Sequence, residues 1–270
     1  NEGNYFYPTA FIPWVCLEPI PVSCYNGNWN TVNMNLYRFW ITYFAKERMI
    51  LMVVFSMVQY PNIPSHDLLS LAKEAGAAGI EWDDAVHLHP GHTHEATQAY
   101  WDAVQAKLEP VSLVSTYTLG NKRDIQELFM PVIDCAFALH ASLVRLNPFP
   151  TPSAEADYSV FNVSAQELRT ICDMANVFDM EIHINCRPGT LTDTPEGVQR
   201  LIKMANCRNC KCSWQPDPSV SDQENLKNLQ LLKEYLGSAI INASWKKEYA
   251  SYLESTFPKM PLMLETGRMA

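Results

Sequence analysis

Short apolar runs alternate with helix-like segments along most of the chain. In the helix-like segments apolar residues recur every three or four positions, whereas the runs between them are almost continuously apolar, as in buried parallel strands. Eight such runs lie at residues 50–57, 79–83, 111–116, 142–147, 179–186, 210–215, 238–244 and 261–265. Eight strands joined by helices predict a (β/α)8 barrel, a TIM barrel. The alternative is an open doubly wound sheet, but no Gly-x-Gly-x-x-Gly motif follows any run.

Residues that favour helix ends flank several helical segments. Side chains that can cap a helix N-terminus precede or open four of them, at Ser65, Ser164, Thr194 and Ser221. Gly76 and Gly237 follow the ends of two helical patterns, where a positive φ is common. These positions predict where the helices begin and end.

The first 48 residues differ from the rest. They are rich in Asn, Pro, Tyr and Trp and show no regular period, so we expect residues 1–48 to form an N-terminal arm and residues 49–270 to form the barrel. Because the sequence ends shortly after the eighth run, the usual last helix is expected to be missing, and a short helix at residues 36–48 is expected to cover that seam. The alternative is that the arm is foreign to the protein, which then starts at Met49.

Composition narrows the possible partners and the compartment. The net charge is −9 and there is no basic run, which argues against nucleic acids and anionic membranes as partners. The longest apolar run, at residues 49–58, is about half of the ~20 residues that a membrane-spanning helix needs. Eight irregularly spaced cysteines in 270 residues indicate reduced thiols and a cytoplasmic protein. The segment "CRNCKC" resembles half of a zinc site, but no second pair with fitting spacing follows it.

Polar residues gather at the C-terminal ends of the predicted strands, where TIM barrels place their active sites. A ring of acids, amides, arginines and aromatic residues is expected there, and such a ring suits a small polyhydroxy ligand. Its members are Glu81, Trp82, His87, Ser115, Tyr117, Arg145, Asn147, Asn185, Arg187, Trp214, Gln215, Asn242, Ser244 and Glu265. A sugar-like small molecule is therefore the expected partner, and a homo-oligomer is possible on this sequence.

Several motifs in order along the chain resemble the sugar phosphate isomerases and epimerases, the xylose isomerase-like barrels. "GIEWDDAVHLHPGH" is similar to the second strand and loop of that family, with His87 and Gly91 in place and Ala85 where an Asp is usual. "VSLVSTYTLG" and "SLVRLNPF" resemble strands three and four, "GTLTDT" and "SWQP" resemble one branch of the family, and "PLMLE" resembles strand eight. The resemblance covers residues 49–265 and implies proton transfer through an enediolate, assisted by a divalent metal.

The positions that the resemblance assigns to metal ligands have changed. An ungapped alignment of strand five puts Asn185 where the family has Glu, Arg187 where it has His, and Asp179 where it has a turn glycine. The four ligand positions then hold Asn185, Gln215, Asn242 (or Ile241) and Glu265, a poor set for a transition metal. We therefore expect no metal cofactor. A rival register, with Glu181 and His183 as the ligand pair, restores a site for Mn²⁺, Mg²⁺ or Zn²⁺.

Two functions follow as hypotheses. In the first, the protein is a sugar or sugar phosphate isomerase or epimerase that acts on a small sugar or sugar acid. Glu265 is then the base, Arg187 or Arg145 stabilises the oxyanion, and Gln215 and Asn185 orient hydroxyl groups. In the second, it is an inactive barrel that binds a polar small molecule or a partner protein. The segment "HLHPGHTH" is expected to be an exposed loop rather than a metal site, because no carboxylate is expected to fix its geometry.

Overall fold

The computed structural model describes residues 51–120, 124–242 and 244–265. Within them, eight parallel strands pair in sequence order and close into a barrel. The strands are β1 Met52–Ser56, β2 Gly79–Asp83, β3 Glu109–Thr118, β4 Leu143–Asn147, β5 Glu181–Asn185, β6 Cys210–Trp214, β7 Leu236–Ile241 and β8 Pro261–Leu264. Closure comes from β1 and β8, which pair from Met52 with Pro261 to Phe55 with Leu264. The predicted (β/α)8 architecture is confirmed.

Seven helices connect the strands in the described residues. They are α1 Ser65–Glu74, α2 Thr93–Ala106, α3 Ile125–Ala138, α4 Tyr158–Asn176, α5 Pro195–Ala205, α6 Asp222–Leu231 and α7 Lys247–Thr256. None of them is long and apolar enough to cross a membrane. The predicted arm, the seam helix at residues 36–48, a start at Met49 and the missing last helix all fall outside the described residues.

Two of the four predicted helix caps are present. Thr194 accepts a hydrogen bond from the Gly197 N–H at the start of α5, and Ser221 accepts one from the Glu224 N–H at the start of α6. The other two predictions are wrong. Ser65 is already the first residue of α1, whose N-cap is Pro64. Ser164 is buried inside α4, which begins six residues earlier than Ser164 because Asp157 caps it by accepting from the Val160 N–H.

The two glycines at predicted helix ends have different roles. Gly76 has φ +78°, as predicted for a helix end. The prediction for Gly237 is wrong, because it lies within β7 and has no positive φ. A Cβ at Gly237 would lie 2.5 Å from Nε2 of His183, so the glycine is needed there for space rather than for backbone conformation.

The hydrophobic core has two parts. The larger part lies between the barrel and the helices and includes Trp82, Phe129 and Phe161. A smaller cluster within the barrel joins side chains of five strands, Val54, Val111, Leu143, Ile240 and Met263. In β4 and β8, the residues two positions after Leu143 and Met263 are Arg145 and Glu265, and alternation along a strand gives them the same face. The smaller apolar cluster therefore lies inside the barrel, directly beneath the polar residues at the C-terminal ends of the strands, which we call the barrel mouth.

Candidate active site

Arg145 on β4 is the centre of a charged cluster at the C-terminal ends of the strands. Its Nε donates to Oε1 of Glu81 at 2.7 Å, and its Nη2 donates to Oε2 of the same carboxylate at 2.6 Å. Nη2 also donates to Oε1 of Glu265 at 2.5 Å. The side chains of Arg145 and Glu81 are buried, whereas that of Glu265 is 15% exposed. Of the two acids, only Glu265 is open to a ligand.

Asn185, the last residue of β5, completes the cluster. Its Oδ1 accepts from Nη1 of Arg145 at 3.1 Å, and its Nδ2 donates to Oδ1 of Asn147 at 3.2 Å. The hydroxyl of Thr192, in the "GTLTDT" segment, donates to the Asn185 carbonyl at 2.7 Å. These hydrogen bonds orient the amide oxygen of Asn185 toward the guanidinium, so Asn185 helps to hold the Arg145 side chain in position.

The two arginines respond differently to their surroundings. Burial alone lowers the pKa of Arg145, but the charges of Glu81 and Glu265 outweigh it, and the pKa is raised. For Arg187, desolvation lowers the pKa, repulsion from Arg145 acts in the same direction, and the charge of Glu265 opposes both. The Arg187 side chain is nevertheless exposed at the mouth. Of these two arginines, Arg187 is the one that a ligand can reach, and it lies close enough to Glu265 to interact with its charge.

His183 lies one layer below the cluster, paired with Arg145 in the β4–β5 register. Its Nδ1 is 2.9 Å from Oγ of Ser238, and its Nε2 is 2.9 Å from Oε2 of Glu181. Burial lowers the pKa of His183 despite the bond to Glu181. Glu181 itself opens β5 and is half exposed at the opposite end of the barrel. The rival ligand pair therefore lies away from the mouth.

The four family ligand positions do not fit a divalent cation. The oxygens of Asn185 and Glu265 accept from the Arg145 guanidinium, whose positive charge occupies the place where an ion would bind them. Oδ1 of Asn242 accepts from the Ser244 N–H, and Ile241 is buried in the hydrophobic core. Gln215 and Oε2 of Glu265 remain, and one amide oxygen with one carboxylate oxygen beside a guanidinium is too little for Mn²⁺, Mg²⁺ or Zn²⁺.

Three further predicted site residues make internal contacts. Trp82 is buried in the core between barrel and helices. His87 is buried as well, with Nδ1 on the Asp83 carboxylate and Nε2 3.3 Å from the Ile63 carbonyl oxygen. Tyr117 donates its hydroxyl to Oε2 of Glu167 at 3.2 Å, and burial together with that carboxylate raises its pKa. Within the described part of the chain, Trp82 therefore serves packing, and His87 and Tyr117 hold neighbouring segments in place.

Two acidic residues that the sequence did not predict as site residues hydrogen-bond to the end of β3 and the segment that follows it. Asp84 accepts from the Ser115 hydroxyl at 2.6 Å and from the Thr116 N–H at 2.7 Å, and burial raises its pKa. Glu167, on α4, accepts from Tyr117 and from the Gly120 N–H. The pair "DD" at the end of strand two was a visible signal for Asp84. Glu167 had no such signal in the sequence, because it lies within a helical pattern and is distant along the chain from any strand end.

Two cavities open near these residues. One, of about 530 Å³, is lined by Asp84, Pro90, residues 115–120, Leu128, Val132, Phe149 and Pro150. The other, of about 310 Å³, lies between the loops after β5 and β6 and includes Arg187, Gln215, Asp193, Trp214 and Lys227 in its wall. Glu81, Arg145 and Glu265 line neither cavity. Arg187 connects the second cavity to the charged cluster, because it lines the one and senses the charges of the other.

Comparison with known proteins identifies the fold. No family model and no curated protein matches the chain by sequence. The structure is similar to the probable 3-DHS dehydratase AsbF of Bacillus anthracis, with a TM-score of 0.67 and 15% identity over 80% of this chain and 93% of that one. It is also similar to the D-allulose 3-epimerase of a Methylomonas species, with a TM-score of 0.65 and 13% identity over 81% and 85%. The chain shares the TIM-barrel fold of these proteins.

That fold is the one which the sequence motifs implied. A xylose isomerase-like barrel of Mycobacterium smegmatis, solved in complex with magnesium, has a TM-score of 0.59 and 13% identity over 79% of this chain and 89% of that one. At these sequence identities the similarity shows a common fold and does not show a common function. The chemistry has to be argued from the residues of this chain.

Proposed function

We propose that this chain binds a small sugar, sugar acid or sugar phosphate at the barrel mouth and isomerises it by proton transfer without a metal. The observation that carries the proposal is the contact of Glu265 with Arg145, beside the exposed Arg187. A partly exposed carboxylate that contacts one guanidinium group and interacts electrostatically with a second combines a proton acceptor with positive charge for an anionic intermediate. The xylose isomerase-like fold supports this class of chemistry by analogy.

Each residue then has a role set by its position. Glu265 removes a proton from the carbon next to the substrate carbonyl, using Oε2, since Oε1 accepts from Arg145. Arg187 faces the developing enediolate oxygen, because its side chain is exposed and lines the smaller cavity. Gln215, in the wall of the same cavity, binds hydroxyl groups. Arg145 is a positioning residue, since it is fully buried and its donors are already engaged.

The number of available carboxylates favours isomerisation over epimerisation. One base can carry a proton from one carbon of an enediolate to the next on the same face, while the hydroxyl proton passes to the former carbonyl oxygen. Inversion at a single carbon needs a second group on the opposite face. Glu81 does not provide it, because both of its oxygens accept from Arg145 and its side chain is buried. An aldose–ketose interconversion is therefore the reaction that we favour.

The second candidate is a non-catalytic barrel that binds a polar ligand or a partner protein. It is favoured by the internal satisfaction of the cluster, in which Arg145 is bonded to Glu81, Glu265 and Asn185. Neither cavity has Glu265 in its wall. Under this reading the cluster stabilises the barrel and does no chemistry.

Solvent exchange distinguishes the two functions. The protein is incubated in D₂O with aldoses, ketoses and their phosphates, and deuterium in the carbon-bound positions is followed by NMR. Isomerisation predicts exchange in at least one substrate and its loss by ~10²–10⁴-fold in Glu265→Gln, because the base is removed. Glu74→Gln, an exposed acid at the end of α1, is the matched control and should leave exchange unchanged. Equal exchange in Glu265→Gln contradicts the role of Glu265, and no exchange with any substrate favours the non-catalytic barrel.

A further inference from the structure

The loop between β2 and α2 brings two histidines and a glutamate together on the surface. Nδ1 of His89 is 3.0 Å from Oε2 of Glu95, and Nδ1 of His92 is 2.9 Å from Oε1 of the same carboxylate. One ligand atom from each of the three residues lies within 4.8 Å of the other two. The sequence prediction of a loop without a nearby carboxylate is wrong on this point, because Glu95 lies between the two imidazoles.

Backbone geometry holds these residues in place. The His92 N–H donates to the His89 carbonyl at 2.9 Å, and Gly91 between them has φ +86°. With Pro90 before the glycine, this is the pattern of a type II turn, which places its first and last side chains side by side. His92 is the N-cap of α2 and Glu95 its third residue, so the helix fixes their spacing.

The turn is also anchored to the next helix. The Gly91 N–H donates to the Pro131 carbonyl at 3.2 Å, and the Cys135 thiol donates to the His89 carbonyl at 3.2 Å. Both partners belong to α3. A site whose backbone is fixed before binding loses little conformational entropy when it captures an ion.

We propose that His89, His92 and Glu95 form a binding site for a zinc-class divalent transition ion, with a remaining coordination position open to water. Two imidazoles and one carboxylate are a known three-ligand set for zinc, whereas Mg²⁺ and Ca²⁺ prefer oxygen ligands alone. Ligands on bonds of 2.0–2.2 Å in a tetrahedron lie about 3.4 Å apart, so the observed 2.9 and 3.0 Å contacts need only small side-chain rotations to admit the ion. The exposed fractions of 57% and 61% for His89 and His92 give the ion access from solvent.

This site is separate from the proposed reaction at Glu265 and goes beyond it. Its effect on the molecule follows from Pro90, which belongs to the same turn and lines the cavity of about 530 Å³. An ion bound by His89, His92 and Glu95 ties that turn to the first turn of α2. The ion would therefore bind next to one wall of the cavity.

Calorimetric titration of Zn²⁺ into the untagged, chelator-stripped protein tests the proposal. One Zn²⁺ per chain is expected for the wild type and for two controls: His94→Ala, the second residue of α2 and outside the cluster, and Glu265→Gln, at the barrel mouth. His89→Ala and His92→Ala should each weaken binding at least tenfold, since even the loss of residues that support metal ligands costs 10–100-fold. His92 makes no side-chain cap bond, so its replacement leaves α2 intact.

Three results would overturn the proposal. One is equal Zn²⁺ affinity in the wild type and in His92→Ala. Another is an intense thiolate-to-metal absorption band after titration with Co²⁺, which would place the ion at the cysteines of "CRNCKC" instead. Loss of binding in Glu265→Gln alone would also overturn it, because the ion would then be at the barrel mouth. The first two results do not bear on proton exchange, so the two proposals can fail independently, whereas the third would also count against a metal-free barrel mouth.

Discussion

Arg145 carries its charge in the buried interior of the barrel mouth, where only close partners make that charge tolerable. The positions of Arg145, Asn185 and Glu265 at the C-terminal ends of predicted strands predicted that they belong to the polar ring. It did not predict that one guanidinium would bind Glu81 and Glu265 together, since that depends on how β2, β4 and β8 are staggered around the barrel. The hydrogen bonds of His87 and the burial of Trp82 could not be predicted either, because a position at a strand end does not fix which way a side chain turns.

Replacing Arg145 tests this cluster at the residue scale. Arg145→Met leaves the buried Glu81 carboxylate without its partner, so we expect a loss of about 3–5 kcal/mol in the free energy of unfolding. Urea unfolding followed by circular dichroism measures it. Adding Glu81→Gln should restore part of the loss, because the stranded charge is then removed. Arg208→Met, at an exposed position, serves as the control. A cost below ~1 kcal/mol, as for a surface pair, would contradict the account of a buried, paired charge.

At the scale of elements, the apolar periodicity located all eight strands, because a closed parallel barrel buries both faces of each strand. Element ends were harder to predict. The N-terminus of α4 was placed at Ser164 although Asp157 caps it, since both residue types favour that position and tertiary packing selects between them. The alignment of strand five placed Asp179 at a turn glycine of the family. Asp179 has φ +55°, a conformation in which glycine is the usual residue.

Asp179 gives a prediction for the turn between α4 and β5. Asp179→Gly should be more stable than Asp179→Ala by about 1 kcal/mol, because only glycine adopts a left-handed backbone without a Cβ penalty. Thermal unfolding of the two variants side by side measures the difference, which corresponds to a few degrees in Tm. Asp179 is exposed, so lost side-chain packing does not obscure the comparison. Equal Tm values for the glycine and alanine variants would show that the backbone strain is absent.

At the scale of the whole molecule, the sequence predicted the barrel and the end of the barrel that carries the polar residues. The two cavities and the cluster of His89, His92 and Glu95 could not be predicted from it. Their geometry depends on how loops from different strands pack, as when α3 anchors the turn that carries His89. The physical reason why the barrel mouth does not suit a metal ion could not be predicted from the sequence either. The substituted ligand positions pointed against it, but only the position of Arg145 gives the physical reason.

Proton exchange in the presence of a strong chelator tests the central claim most directly. The wild-type protein is stripped with the chelator, and exchange of deuterium from D₂O into sugars and sugar phosphates is compared before and after Mn²⁺ or Mg²⁺ is added. Because Arg145 and Arg187 supply the positive charge at the mouth, exchange should persist in the chelator and should not rise when metal is added. Exchange that appears only with added metal, and that Glu265→Gln abolishes, would contradict the claim and return a metal to the barrel mouth.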